Sequence, residues 1–247
     1  MHIKELSRRD MLVRGAAALA CSVALHGCAT RVPATDIARI KTVGVVSFAG
    51  SRLRMESVRL VAAGLKTTNE IGDWGVDAVI VDEAAKVLRP RFEVIPVTYG
   101  RASLLQDLTA MSLREAARKN VMPAAVDAYV VISPIYQRDI LLGADPPAGI
   151  TLFDNRRVTG TTTTLTMNAE MTVFDAQTFD QIASRRVSFP IGSDTLELKV
   201  GIVVESGLWA DGFEMLSSDQ KVKLQAILKV MVQAEISATL KGIGMAS

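Results

Sequence analysis

Thr164-Leu165-Thr166-Met167-Asn168-Ala169-Glu170-Met171-Thr172-Val173 carries the clearest period-two pattern in this 247-residue chain. Leu165, Met167, Ala169, Met171 and Val173 alternate with polar residues, which predicts a long half-buried strand. Asp175-Ala176-Gln177-Thr178 supplies turn chemistry, and residues 179–189 return as an antiparallel partner closed by Pro190. Working outward, residues 127–133 (Asp-Ala-Tyr-Val-Val-Ile-Ser) are apolar on both faces, as an inner strand covered on each side is. Residues 41–49, with Val43, Val45, Val46 and Phe48, predict another buried strand. Residues 52–63 then read as a returning strand or a helix, and the turn at Gly50-Ser51 with the alternation of Val58, Leu60 and Ala62 favours a hairpin partner.

Helical spacing marks the rest. Asp73 is the expected cap of a helix over 74–88, with Val76, Ile80, Ala84 and Leu88 inside and Asp77, Asp82, Glu83 and Lys86 outside. Residues 92–98 read as an edge strand because of Pro96, and 102–119 as one helix. Residues 144–149 are a loop by composition, and 191–216 give only a helical stretch around Trp209. Ser217 and Gln220 form a capping-box pattern ahead of a terminal helix, with Gly242 as its expected C-cap glycine. The fold class is α/β: a mixed sheet with a long antiparallel hairpin and packing helices, one of them C-terminal.

The amino terminus reads as an address. Ser7-Arg8-Arg9-Asp10-Met11-Leu12, with Arg14 after it, resembles the twin-arginine export signal. The uncharged stretch over 15–25 suits an export signal and falls short of the roughly 20 residues a membrane-spanning helix needs. Leu25-His26-Gly27-Cys28 resembles a lipobox, with Leu25 and Gly27 positioning Cys28 to accept diacylglycerol. His26 departs from the usual small or hydrophobic residue there, and plain secretion without lipid is the alternative. The expected organisation is a removed signal over 1–27, a lipidated tether over 28–39 and one periplasm-facing domain over 40–247. Ala29 follows the cysteine where inner-membrane retention usually needs Asp, so the outer membrane is favoured, with a soluble periplasmic protein as the alternative.

Composition narrows the chemistry. His2, His26 and Cys21 all lie before Cys28, so the expected mature chain has no histidine and no free thiol. That excludes Ser-His-Asp and Cys-His catalysis and imidazole or thiolate metal sites, and no metal or other cofactor is expected. The signal holds Lys4, Arg8, Arg9 and Arg14 against Glu5 and Asp10, leaving 24 charges of each sign from the chain's 28 basic and 26 acidic residues. A neutral body carries no global electrostatic footprint for nucleic acid or for anionic lipid.

The residues 41–49, the Asp127-Ala128-Tyr129-Val130-Val131 strand and the Thr172-Val173-Phe174-Asp175-Ala176-Gln177-Thr178 turn together resemble a group of envelope lipoprotein domains. The group comprises the curli-secretion lipoproteins, the lipoprotein activators of penicillin-binding proteins and the amino-terminal domain of the Tol-system propeller protein. Phe179 stands where the group's turn usually has Gly. The resemblance implies a domain that binds an envelope protein partner, builds homo-oligomers or stimulates a wall synthase, without catalytic residues.

Other features have two readings each. Ser218-Asp219-Gln220-Lys221 has the Ser-x-x-Lys spacing of penicillin-recognising enzymes but lacks their Lys-Thr-Gly and Ser-x-Asn companions, and helix capping explains Ser217 and Ser218 better. Thr161 to Thr164 form either an edge open to a partner strand or a solvated β-face. Trp74 and Trp209 are interface anchors or core residues, and Arg185-Arg186 with Arg156-Arg157 are a basic patch or separate surface charges. The leading expectation is a non-enzymatic envelope lipoprotein acting through protein contacts in wall or envelope assembly or secretion. The alternatives are an envelope hydrolase or transferase using carboxylate or Ser-Lys chemistry, and a subunit of an oligomeric secretion complex.

Overall fold

The computed structural model describes residues 31–59, 64–135, 138–139, 143–144, 149–157, 160–188 and 202–246. In chain order the elements are α1 Ala34–Arg39, β1 Thr42–Ser47, β2 Arg52–Arg59, β3 Lys66–Glu70, α2 Val76–Leu88, β4 Glu93–Ile95, α3 Arg101–Asp107, α4 Leu113–Asn120, β5 Ala128–Pro134, β6 Arg138–Asp139, β7 Gly143–Ala144, β8 Ile150–Arg157, β9 Gly160–Asp175, β10 Gln181–Ser188, β11 Ile202–Val204 and α5 Ser218–Gly242. Nine strands join in one mixed sheet of order β3-β2-β8-β9-β5-β1-β4, with β10 and β11 also on β9.

The period-two stretch is the long strand β9, and it extends further than its alternating core. Its first half pairs antiparallel with β8, from Arg157↔Gly160 to Ile150↔Met167, and its second half with β5, from Pro134↔Ala169 to Ala128↔Asp175. Asn168 is the handover. Its carbonyl accepts from the Ile135 N–H at 3.1 Å, and its own N–H donates to Gly149 O at 2.7 Å. Because N–H and C=O of one strand residue point to the same edge, β5 and β8 lie end to end along one side of β9. β10 takes the other side of the second half and β11 that of the first.

The predicted hairpin between the first two strands is corrected by this sheet. Both edges of β1 are taken, by β4 and by β5, each parallel. Gly50-Ser51 instead carries the chain into the other half, where β2 pairs antiparallel with β3 and parallel with β8. Side chains of β1 and β5 alternate between two cores. Val43, Val45, Val130 and Ile132 meet α2 and α5 on one face, while Val46, Tyr129 and Val131 meet α3 and α4 on the other. The inner strands are apolar on both faces for this reason.

Five further departures concern helices and their boundaries. Asp73 sits exposed in a 3-10 turn over Gly72–Trp74, and the cap position of α2 is Gly75 at φ 66°. The single helix expected over 102–119 is two, because Ser112 and Glu115 cap each other at the start of α4 and reset the chain. Asp107 then ties the pair, accepting from Asn120 Nδ2 at 2.6 Å and Lys119 Nζ at 3.0 Å. The Ser217/Gln220 capping box forms as expected, but the left-handed glycine after α5 is Gly244, at φ 83°, rather than Gly242. There Met245 N–H donates to Leu240 O and Gly244 N–H to Lys241 O, each at 3.0 Å, the two bonds of a Schellman motif. Finally, residues 31–39, expected as tether, pack on the body: Val32 is buried and α1 follows it. Trp209 follows a 3-10 turn over Ser206–Leu208 rather than lying within a helix.

Gly149 is required where the two sheet halves meet, since a Cβ there collides with the carbonyl of Ala49. Gly149→Ala is expected to cost more than about 2 kcal/mol in urea unfolding. Gly207→Ala, whose added methyl meets nothing within 4 Å, is expected to stay within about 0.5 kcal/mol of the parent.

Candidate functional site

Arg8, Arg9, Leu12, Leu25, Gly27 and Cys28 lie outside the described residues. What the structure gives is the place from which they emanate. Val32 N–H donates to Ile243 O at 2.9 Å and Arg31 Nε to Gly242 O at 3.4 Å, so the amino terminus of the body is fastened to the end of α5.

The most concentrated polar site lies at the opposite, carboxyl end of β1, the position where open α/β sheets place their clefts. Helical periodicity puts Asp77 on the outer face of α2, but the residue is 2% exposed. It sits in the first turn, where the side chain turns back to the 47–51 loop rather than out to solvent. Its Oδ1 accepts from Ser47 Oγ at 2.7 Å and Gly50 N at 2.8 Å, and its Oδ2 from Ser51 Oγ at 2.6 Å. Arg101 Nε stands 3.5 Å from Oδ2. Tyr99 donates its hydroxyl to Ser47 O at 2.6 Å. Gly50 has no room for a side chain, because a Cβ would sit 2.7 Å from Val76. Beside this node opens a cleft of about 550 Å³ lined by Ser51, Glu70, Gly72, Tyr99 and Arg101, among others. The carboxylate is already occupied by three donors, so it fixes the loop rather than standing ready as a base. Asp77, Tyr99 and Arg101 carry no spacing motif that sequence reading uses.

A second groove, of about 610 Å³, lies at the other end of the sheet between α4 and the β9–β10 turn. Here the turn of the resemblance acquires a physical account. Asp175 Oδ1 accepts from Gln177 N at 2.9 Å and Thr178 N at 3.0 Å, and its Oδ2 meets Arg39 Nη1 at 2.9 Å. The Thr178 N–H leads the contacts that hold this carboxyl below its usual range. Asp127 is held low in the same manner, first by the Lys41 N–H at 2.8 Å and then by the Thr42 N–H at 2.9 Å. Phe179 follows the turn at φ 57°, a region that favours glycine and costs other residues about 1–2 kcal/mol. Its ring stacks on Tyr129 at 5.4 Å and tilts against Phe174 at 6.4 Å, so aromatic burial offsets the backbone cost.

The remaining sequence candidates resolve individually. Ser218 is exposed on the first turn of α5, and the Lys221 ammonium lies over the Phe213 ring at 4.5 Å. Neither lines the two clefts. Of the edge at Thr161 to Thr164, all four residues pair with β8, and Thr163 and Thr164 pair with β11 on the other side as well. Trp74 and Trp209 are buried in the larger core. In the backbone register Arg156 pairs with Thr161 and Arg186 with Glu170, about 30 Å apart along β9. Among the described residues no group of three or more His, Cys, Asp or Glu side chains could hold a metal ion, and no helix is long and apolar enough to cross a membrane.

No family model matches the chain, and no curated protein matches it. Solved structures do. A DUF330-family protein of Xanthomonas campestris is 8% identical, with TM-score 0.36 over 89% of this chain and 91% of that one. The PelC dodecamer protein of Paraburkholderia phytofirmans is 9% identical, with TM-score 0.29 over 90% and 95%. The lipoprotein GNA1162 of Neisseria meningitidis is 14% identical, with TM-score 0.26 over 77% and 95%. At these TM-scores no assignment passes from them to this chain.

Two stability predictions follow from the buried carboxylates. Asp77→Ala leaves two hydroxyls and the Gly50 N–H without their acceptor and is expected to lower unfolding free energy by about 3 kcal/mol, read from urea titrations. Glu235, 2% exposed on α5 with Oε1 lacking a hydrogen-bond partner, has its carboxyl pushed up to about 7 by burial. The folded state therefore holds this proton more tightly than the unfolded chain, and stability falls as pH rises from about 4.5 through 7, by on the order of 3 kcal/mol. Asp127 and Asp175 act oppositely: their contribution is present above the ordinary carboxylate range and lost on further acidification. The thermal midpoint is expected to peak near about pH 5 and decline toward 8, and Glu235→Gln is expected to flatten that decline.

Proposed function

We propose that this chain is an exported, lipid-anchored protein of the bacterial envelope that works by contacting other proteins and not by catalysis. The observation that carries the reading is the succession Leu25-His26-Gly27-Cys28 followed, only four residues after the cysteine, by Val32 buried in the body. A lipid on Cys28 with two or three acyl chains gives stable attachment, since each buried methylene adds about 0.8 kcal/mol. The export signal at Arg8-Arg9 and Leu12 supplies the route, and Ala29 favours the outer membrane.

Support for a contact role comes from the surface and from the polar node. Asp77 has its hydrogen-bonding capacity committed to the 47–51 loop. Two large apolar side chains stand exposed among the polar residues on the outer side of α5: Val222 is 62% and Val230 68% exposed. Met215, 69% exposed, lies just before that helix. These residues offer a docking face for an envelope protein or a second copy of the chain.

Fractionation of cells expressing Cys28→Ser is the test. The variant is expected to lose the acylated mature form, and a variant retaining that form contradicts the anchor. Substituting Val222 and Val230 together with Lys is expected to leave the thermal midpoint within about 2 °C and to abolish partner crosslinks in intact envelopes. Crosslinks undiminished by that change contradict the docking face.

A further inference from the structure

The fastening of Arg31 and Val32 to the end of α5 fixes which face of the protein meets the bilayer. Val32 is the fourth residue after Cys28, and a fully extended chain of that length reaches at most about 14 Å. The Val32 N–H is bound to Ile243 O. An anchor on Cys28 therefore holds the α5 terminus within about 14 Å of the lipid surface, and the body has little freedom to roll away from it.

That terminus is basic. Arg31 donates to Gly242 O, Arg91 Nη1 donates to Gly244 O at 3.2 Å, Lys241 lies in the last turn of α5, and Arg89 lies two residues before Arg91. All four side chains are exposed, and none pairs with a described carboxylate. The neighbouring acids are largely committed: Asp36 and Asp175 hold Arg39, and Asp127 accepts from Lys41 and Thr42. Glu93, two residues after Arg91, is exposed. The arginine contacts with helix carbonyls are C-capping bonds, but each uses one donor of a guanidinium that has five.

We propose that Arg31, Arg89, Arg91 and Lys241 form a membrane-facing patch that binds anionic phospholipid headgroups and orients the body on the bilayer. The patch rests on the reading of Cys28 as the anchor point. A lysine or arginine near an anionic surface contributes about 1 kcal/mol, with a reach of about one Debye length, some 8 Å at physiological salt. The short tether lets the patch come within that reach, and the attraction between the cations and the headgroups holds it there.

The test uses the mature chain beginning at Cys28, which contains every described residue and a single thiol. Coupling that thiol to a maleimide lipid attaches the protein to vesicles whether or not cells acylate it, so failure of the orientation is distinct from failure of the natural anchor. Acylation of Lys241 and Lys223 by an amine-reactive reagent is then followed on vesicles of phosphatidylcholine with and without phosphatidylglycerol. The two lysines sit at opposite ends of α5, about 27 Å apart along its axis. On anionic vesicles Lys241 is expected to react at least fivefold more slowly than on neutral ones, with Lys223 unchanged, and 0.5 M salt is expected to abolish the difference. Arg89→Glu, which alters no helix-capping side-chain bond, is expected to restore much of the Lys241 rate, and Arg89→Glu with Arg91→Glu all of it. Equal Lys241 rates on both vesicle types, equal slowing of both lysines, or slowing that survives in the folded double variant overturns the proposal.

Discussion

One strand serves two sheets' worth of partners, and the fold depends on the point where it changes hands. At Asn168 the carbonyl of β9 closes the β5 ladder and the N–H opens the β8 ladder. Two strand ends must therefore meet edge to edge beneath the β1–β2 loop, which only Gly149 permits. Asn168 also holds the outer strand, since its side-chain Oδ1 accepts from Arg186 Nε at 3.1 Å and Nη2 at 2.9 Å. The same junction directs the 47–51 loop onto α2, where the buried Asp77 gathers its donors. The polar site is thus a consequence of how two halves of a sheet are joined.

The two ends of the sheet have different characters. At the carboxyl end of β1 lies a cleft whose charge is largely internal, Asp77 facing Arg101. At the amino ends of β1, β4 and β5 lie the first residues of the body, the Schellman turn after α5 and the exposed arginines. A neutral overall composition conceals this asymmetry, because net charge reports nothing about placement. The lipid anchor proposed for Cys28 would leave the cleft, and the exposed Val222 and Val230 of α5, directed away from or along the bilayer.

Local signals were legible in the sequence where they were sufficient. The alternation from Leu165 to Val173 needs only its own residues to be read, and the Ser217/Gln220 cap is complete within four positions. Ser112-x-x-Glu115 is the same signal, and reading it would have divided the helix over 102–119. What sequence could not reveal is set by distant partners. Gly50-Ser51 marks a turn correctly but not its destination, because β4 and β5, far along the chain, occupy the edges of β1. Asp77 fits the outer helical face by periodicity, yet a first-turn side chain can reach the loop before it. Phe179 replaces a turn glycine at φ 57° because Tyr129, fifty residues earlier, stacks with its ring.

The proposed membrane attachment requires that Cys28 begin the mature chain and carry lipid. The direct measurement is the mass of the amino-terminal peptide from protein purified out of native envelopes. The expected peptide starts at Cys28 and carries the added mass of diacylglycerol on its sulfur. A mature chain starting at any other residue, or at Cys28 with an unmodified thiol, contradicts it.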